Sequence, residues 1–350
     1  MGYRGLGSIG KLALAVAVAS TGYVTVAGQT PSSSGKKWTA PRTVDGQPDI
    51  QGVWANNNAT PLQRPPQWAG KQVLTDRELA ELKRVSDEIT ANNGDAQFGD
   101  GLVLAALEKI SKPGSYDPST GNYNQFWIVD REFTDRRTSL ITDPADGKIP
   151  AMTPEAQKRM AARMEYLKEH PADGPEDRPA GERCANFGVP KLGAGYNSYY
   201  QIFQSPNHVA ILSEMAHDAR IVPLDGRPHV GKNITQWNGD ARGRWEGDTL
   251  VVETKNFSKN SEFMGASEKM VLVEKFTRVG PNQLNYEVTI TDPGTWTKPW
   301  TAMVPLAQKA ERVYEYACHE GNTGMHGILN GHRVQEREEA QRRRSSGGAN

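Results

Sequence analysis

The sequence lacks a net charge and lacks long hydrophobic runs. Lysine plus arginine and aspartate plus glutamate both number 41 in the 350 residues, so the formal net charge is zero. Without a basic excess nothing steers the chain to nucleic acid, and no acidic tract indicates a charge-driven partner. Beyond the N-terminus no apolar stretch approaches the about 20 residues of a membrane-spanning helix. We therefore expect neither nucleic acid nor a bilayer among its partners.

Cysteine is scarce, with only Cys184 and Cys318 in the chain. The chain-entropy model gives roughly 4 to 5 kcal/mol of stabilisation for closing so long a loop. In an exported protein a lone pair of cysteines is more typical of a disulfide than of a catalytic thiol. We predict a Cys184–Cys318 disulfide; two unpaired buried thiols are the alternative.

Export itself is predicted by the N-terminus. Arg4 and Lys11 give a basic start, residues 12–20 form a short apolar run, and the small residues at 26–28 fit a cleavage site. We predict a signal peptide over 1–28, a flexible linker over 29–37, and a periplasmic or secreted mature protein without stable membrane insertion. An uncleaved anchor is the alternative.

Most sequence motifs that indicate a particular chemistry are also missing. The seven histidines include no pair at a metal-ligand spacing such as HxH or HExxH. There is no glycine-rich phosphate loop, no GxSxG nucleophile elbow and no Cys/His redox motif. We therefore predict no metal and no cofactor. A metal would require His217, His229 and His319 to converge through the fold.

Residues 38–198 are irregular in pattern and contain two predicted helices. The first follows a capping box, in which Thr75 accepts from the amide of Glu78 while the Glu78 side chain reaches back. The second has Thr153 as N-cap and Pro154 at its first position. Dense proline and asparagine before the first helix predict a segment that wraps around the rest of the protein.

From residue 199 apolar residues recur with a period of two, which is typical of strands. No crossover helix intervenes, so we predict an antiparallel meander, and a meander of this size tends to close because closure removes exposed edges. The strand-like runs are YYQIFQS, HVAILSE, ARIVPL, TLVVETK, MVLVEKFTRV, LNYEVTI, WTAMVPL and RVYEYAC.

The predicted fold is therefore mainly β and α+β overall. It is a lipocalin-like antiparallel up-and-down β-barrel with an irregular, partly helical N-terminal wrap and a C-terminal helix. Barrel and helix span 199–343, with the strands at 199–318 and the helix, at about 325–343, across one end. Residues 344–350 are a disordered tail. A two-sheet sandwich is the alternative.

A barrel of this size either fills its interior or holds one small ligand, so ionisable residues on apolar faces are the site candidates. In HVAILSE, His208 and Glu214 share a face about 20 Å apart on an ideal strand, so each needs a partner elsewhere. The following turn adds His217, Arg220 and His229. This density suits general acid–base chemistry; a solvated hairpin turn is the alternative.

Other candidates lie further along the chain. Trp245 could stack on a substrate ring or close the barrel end. Glu274 shares a face with Met270 and Phe276, and is either on the solvent side or an acid in the pocket.

The run RVYEYAC continues into CHEGN. If the predicted disulfide forms, the segments GERC and CHEGN come together, so that Arg183, His319 and Glu320 meet at one barrel end. Tyr316 precedes them in the same run. Such a gathering is what a preorganised site needs; a well-anchored loop crossing is the alternative.

Long motifs occur along the whole mature chain: DGQPDIQGVW, YNQFW, RRTSLITDPADGKIPAMTPEAQKR, GERC, HDARIVPLDGRPH, RGRWEGDTLVVET and YEYACHEGN. They resemble an uncharacterised family of exported bacterial hypothetical proteins, and this resemblance implies no catalytic residues. The segment QGVW is also similar to the Gly-x-Trp near the first strand of lipocalins. That likeness implies a first barrel strand at 50–54 and a long insertion after it.

The preferred hypothesis is an exported enzyme that binds a small, partly apolar organic molecule in the barrel cavity. It would transfer protons in an elimination, isomerisation or cyclisation, as a cofactor-independent lyase or isomerase. A histidine would be the base, a glutamate would orient it and an arginine would stabilise negative charge. The candidates for catalysis are His217, Glu214, Arg220, His319 and Glu320. The candidates for substrate binding are Arg183, His208, His229, Trp245 and Tyr316.

Two other hypotheses use the same scaffold: a non-catalytic carrier of lipocalin type, and an envelope interaction module that contacts a partner through the N-terminal wrap. The barrel interior distinguishes them. The enzyme requires a His–carboxylate pair facing an enclosed cavity. The carrier requires an apolar interior with its histidines outside, and the interaction module requires no cavity large enough for a ligand.

Overall fold

The computed structural model describes residues 38–91, 97–111, 128 and 130–347. The predicted signal peptide and linker and the YNQFW motif lie outside these residues. The strands are β1 (Gly52–Ala55), β2 (Ile141–Asp143), β3 (Tyr199–Ser205), β4 (His208–Ser213), β5 (Asp218–Pro223), β6 (Asp240–Glu246), β7 (Thr249–Lys255), β8 (Val271–Gly280), β9 (Gln283–Thr291) and β10 (Trp300–Lys309). The α-helices are α1 (Asp76–Ala91), α2 (Gly101–Ser111), α3 (Pro154–Glu169) and α4 (Thr323–Gly347).

The strands form one antiparallel sheet that curls into a nearly closed barrel. Their order is β5–β4–β3–β1–β10–β9–β8–β7–β6, and β2 pairs with β10 alone. The outer strands β5 and β6 lie side by side, although no ladder of hydrogen bonds joins them in the described part of the chain. The lipocalin-like barrel is therefore confirmed, and the two-sheet sandwich is wrong.

The strand β1 completes the barrel from far upstream in the sequence. It pairs with β10 on one side and with β3 on the other. The predicted strand RVYEYAC is wrong, because β1 already occupies both of those edges; residues 312–317 have no regular secondary structure, and Tyr314 is 71% exposed. The position of β1 agrees with the first strand that the Gly-x-Trp likeness implies. Its Trp54 is fully buried, and its indole N–H donates to the carbonyl of Ile50 at 2.9 Å.

Alternating side chains fill most of the barrel interior. Along β9 every second residue is buried, as expected for a pleated strand with one face on a core. The same alternation in β4 turns Val209, Ile211 and Ser213 inward. Aliphatic and aromatic side chains from most of the strands join in one cluster. The barrel is therefore not an open tube: a core of side chains fills most of its interior.

The helices lie outside the barrel. Thr75 and Glu78 form the predicted capping box of α1, and Thr153 caps α3 with Pro154 at its first position. The helix α2 was not predicted; it packs on α1 around a second small core. The helix α4 continues past 343 to residue 347, so the start of the predicted disordered tail is helical. Among the described residues no helix is long and apolar enough to span a membrane.

Candidate functional site

One end of the barrel interior contains a cleft with mainly apolar walls. The walls enclose about 540 Å³, including the part that is open to solvent. The space between the side chains is slender, so it is wide enough for a water molecule or for a narrow part of a ligand. Its apolar lining consists of Val189, Pro190, Ile202, Ile211, Phe276 and Leu306.

An ion pair with hydroxyl partners forms the floor of the cleft. Arg220 of β5 reaches across the interior to Glu274 of β8, with Nη1 donating to Oε1 at 2.9 Å. The Tyr286 hydroxyl donates to the same oxygen at 2.8 Å. The Glu274 side chain is fully buried, so this carboxylate depends on Arg220 for its counter-charge. Burial raises the pKa of Tyr286 and of Tyr200, which keeps both hydroxyls protonated.

Lys191 stands where the cleft meets a wider outer pocket. Its Nζ donates to the Ser213 hydroxyl at 2.7 Å and to the Met215 carbonyl at 2.8 Å. Burial lowers the pKa of this amine to about 8, and the charge of Asp218 offsets only part of that effect. A substantial fraction of the amine is therefore uncharged near pH 8, and an uncharged amine is a base and a nucleophile.

The segment that carries Lys191 is held by several polar contacts. The Tyr200 hydroxyl donates to the Lys191 carbonyl at 3.2 Å, and Asn56 Nδ2 donates to the Leu192 carbonyl at 3.2 Å. Gly188, at φ +71°, could not be another residue, because an added Cβ would lie 2.1 Å from the Glu262 carbonyl oxygen. These contacts position the amine at the end of β4.

Asp218 adds another polar side chain to the lining of the cleft. Asn186 Nδ2 donates to Asp218 Oδ2 at 3.2 Å and to Asn238 Oδ1 at 3.0 Å. Burial raises the pKa of Asp218. The carboxyl therefore retains a proton to a higher pH than an exposed aspartate does, although it is not in direct contact with Lys191.

The outer pocket, which we call the vestibule, is lined by aromatic side chains. It shares Lys191, Tyr200 and Ser213 with the cleft and adds residues 192–198, Phe98 and Phe187, among others. Its free space is larger than that of the cleft, about 740 Å³ including the open side. A flat apolar group can rest here while a slender part of the same molecule reaches Lys191.

Among the predicted catalytic residues only Arg220 lies in the cleft. Glu214 is 4% exposed just beyond β4; one of its oxygens accepts from the Tyr314 amide at 3.4 Å, and the other has no partner among the described residues. The rest are exposed and line neither the cleft nor the vestibule: His217, His319 and Glu320. The strand β4 ends at Ser213, so the chain leaves the barrel wall before it reaches His217. All of the chain's histidines lie in described residues, and none lines the cleft. The His–carboxylate pair that the enzyme hypothesis places at the cavity is therefore not found there, and an enzyme at this cleft would need another base.

Among the predicted substrate-binding residues Tyr316 lies nearest the site. Its ring packs edge-on against Phe187, 5.9 Å between centroids, and that ring lines the vestibule. The others do not line the cleft or the vestibule: Arg183, His208, His229 and Trp245. His208 lines an open groove beside β5 because the inward face of β4 is the opposite one.

Two of these residues have contacts that are typical of a structural role. His229 is held by two carboxylates, with Nδ1 2.8 Å from Asp240 and Nε2 3.1 Å from Glu253. Trp245 packs against the barrel core, as its structural alternative requires.

The predicted disulfide is present. Cys184 and Cys318 are bonded, with 5.6 Å between their Cα atoms. Asn322 Nδ2 donates to the Glu182 carbonyl at 2.8 Å, so GERC and CHEGN do come together. His319 and Glu320 nevertheless point to solvent. The crossing therefore anchors the chain, and these two side chains do not face the cleft.

One group of side chains on α4 and the loop after α3 has metal-ligand chemistry. Donor atoms of Asp173, His332 and Glu336 lie within 4.8 Å of one another. Arg333 Nη2 already lies 2.9 Å from Glu336 Oε1, so a guanidinium balances the carboxylate charge. We assign no metal to this group.

The residues that form the cleft were mostly not predicted. Ser213 could have been found, because it alternates with Val209 and Ile211 on one face of β4. Glu274 was recognised as a possible pocket acid. Lys191 lies in GVPKLGAG, a segment without periodicity, where sequence pattern gives no signal. In comparisons with protein-family models, with curated proteins and with solved structures, nothing matches this chain.

Proposed function

We propose that this protein is a small-molecule enzyme that transfers a proton to or from a partly apolar organic substrate, with Lys191 as the base. The observation that supports it most is the position of this amine. It lies partly buried between the cleft and the vestibule, hydrogen-bonded to a hydroxyl and a carbonyl rather than to a carboxylate. A base with a pKa of about 8 matches the operating range of general base catalysis.

The surroundings support the same chemistry. Apolar walls exclude water from the reacting carbon and strengthen electrostatic interactions there. Glu274 neutralises Arg220, so the floor of the cleft adds little net charge. Such a site suits a neutral or weakly acidic carbon acid. Elimination, isomerisation and cyclisation all begin with removal of such a proton, as in a cofactor-independent lyase or isomerase.

Deuterium exchange into 1-nitro-2-phenylethane tests this proposal. The compound is a carbon acid with a flat aromatic ring, and its nitro group forms no covalent bond with an amine. We expect the wild type in deuterated buffer at pH 8 to accelerate exchange next to the nitro group, measured by proton NMR. Lys191→Met should lose this acceleration, and the matched control Lys275→Met, in an exposed ion pair with Glu287, should retain it. Equal rates for wild type and Lys191→Met would overturn the proposal.

A second candidate is a ligand carrier without chemistry. It is favoured by the apolar cleft walls and by the absence of histidine from the lining, as the carrier hypothesis requires. In that case the nitro compound would bind saturably to wild type and Lys191→Met alike, with no exchange above the buffer rate. For either function we propose export to an oxidising compartment, which the disulfide supports.

A further inference from the structure

Lys191 carries a partly buried amine that contacts no counter-ion among the described residues. In the described part of the chain no carboxylate lies within ion-pair distance of its Nζ, and both hydrogen-bond acceptors are neutral. A lysine held only for stability would be expected at the surface or beside a carboxylate. This placement therefore points to the reactivity of the nitrogen.

The shapes of the two pockets restrict what can reach this nitrogen. The cleft admits only a narrow group, whereas the vestibule is wide and bounded by the rings of Phe98 and Phe187. Phe98 is 43% exposed, and its ring packs edge-on against that of Tyr196, 6.1 Å between centroids. A matching molecule has a flat apolar part and a short arm. The reactive group on that arm must be one that a nucleophile can attack. It need not be charged, because the ion pair on the floor of the cleft already balances its own charge.

We infer that Lys191 condenses with a ketone or aldehyde to form a Schiff base, while the vestibule holds an apolar ring of the same molecule. This inference rests on the proposed function for the position of the substrate and adds a covalent step. Carbonyl compounds are thereby the substrate class. Imine formation makes the neighbouring C–H bond more acidic. The Lys191 nitrogen is then bound in the imine and activates the substrate, so a weaker base than a free amine is enough to remove the proton from the adjacent carbon.

The step balances without an oxidant or reductant. The uncharged Nζ attacks the carbonyl carbon, a C–N bond forms, and a proton passes from nitrogen to the former carbonyl oxygen. The Ser213 hydroxyl, 2.7 Å from Nζ, is placed to relay that proton. The hydroxyl so formed leaves as water with the second proton of the nitrogen, and a C=N bond remains. Amine and carbonyl thus give imine and water.

Reductive trapping tests the inference. The wild type is incubated with 4-phenylbutan-2-one and sodium borohydride, and the product is examined by intact mass and peptide mapping. We expect one adduct with the mass of the ketone less water plus two hydrogens, on Lys191. Lys275→Met should give the same adduct, and Lys191→Met should give none. The corresponding alcohol, 4-phenylbutan-2-ol, should reduce labelling by competition.

The outcomes separate the two proposals. If no adduct forms, or if it is spread over many lysines, the Schiff base is refuted, whereas retained exchange of the nitro compound leaves Lys191 as a simple base. If the nitro compound is not exchanged either, the proposed function fails as well. Peptide mapping of the wild type alone decides the site of labelling, so the test does not depend on the folding of Lys191→Met.

Discussion

Replacing Lys191 by methionine should change the pH dependence of stability. The unfolded chain binds a proton on this amine with a pKa of 10.5, and the folded protein does so only at about 8. Between these values folding releases a proton, so wild-type stability rises with pH. Below pH 8 the amine is charged in the folded protein, and its burial lowers the free energy of unfolding by the full amount, about 3 kcal/mol. Above pH 10.5 that penalty is gone.

Methionine keeps the apolar bulk and removes the charge. It also leaves the Ser213 hydroxyl and the Met215 carbonyl without this donor, at about 1 kcal/mol each. Lys191→Met should therefore be more stable than wild type by about 1 kcal/mol at pH 7. At pH 10.5 the order should reverse, with the wild type more stable by up to about 2 kcal/mol, since the neutral amine keeps its hydrogen bonds.

Urea denaturation followed by tryptophan fluorescence at pH 7, 9 and 10.5 measures this difference. Lys275→Met is the control, and its difference from wild type should depend much less on pH. A constant difference between Lys191→Met and wild type, or a less stable variant at pH 7, would refute the reasoning. Lys191 would then be a structural residue that satisfies the Met215 carbonyl.

Three other changes test the surrounding structure. Arg220→Met should destabilise the fold by about 3–5 kcal/mol, because it leaves Glu274 buried without its counter-ion. The double variant Arg220→Met with Glu274→Leu should recover most of that loss; urea denaturation measures both. Cys184→Ser should cost up to about 5 kcal/mol, since the bridge spans 134 residues, and a reductant should destabilise wild type but not this variant. The hydrogen bond that the His170 ring donates to the Asp173 carboxylate raises the pKa of His170. The stabilisation from this hydrogen bond is complete below pH 6.5 and is lost as the pH rises through the raised pKa of His170. Amide hydrogen exchange at the end of α3, corrected for intrinsic rates, should therefore increase over that pH range. It should not do so in Asp173→Asn.

The barrel was predictable because its signals are local. Period-two alternation assigns β3, β4, β5 and the strands from β7 to β10, since a pleated strand sends neighbouring side chains to opposite faces. The capping residues Thr75 and Thr153 mark two helices within one turn of each start. The disulfide was predictable because the chain has only two cysteines, which allow a single pairing.

The reactive site was not predictable in the same way. Arg220 was singled out, but its role as counter-ion to Glu274 depends on two strands 54 residues apart in sequence. The histidines drew attention by their chemistry, yet local pattern does not show which side of the barrel wall a turn residue faces. Lys191 carries no periodic signal, and its amine meets Ser213 only because the chain returns across the barrel end.

The sequence by itself determined the class of fold and the cysteine pairing, since each depends on periodicity along the chain or on composition. Only the tertiary structure decided that the four residues of β1 join β3 to β10, that the barrel interior is nearly filled, and that Lys191 lies at its mouth. Burial lowers the pKa of that amine, and burial is a property of the surrounding shell, which sequence-distant segments build together.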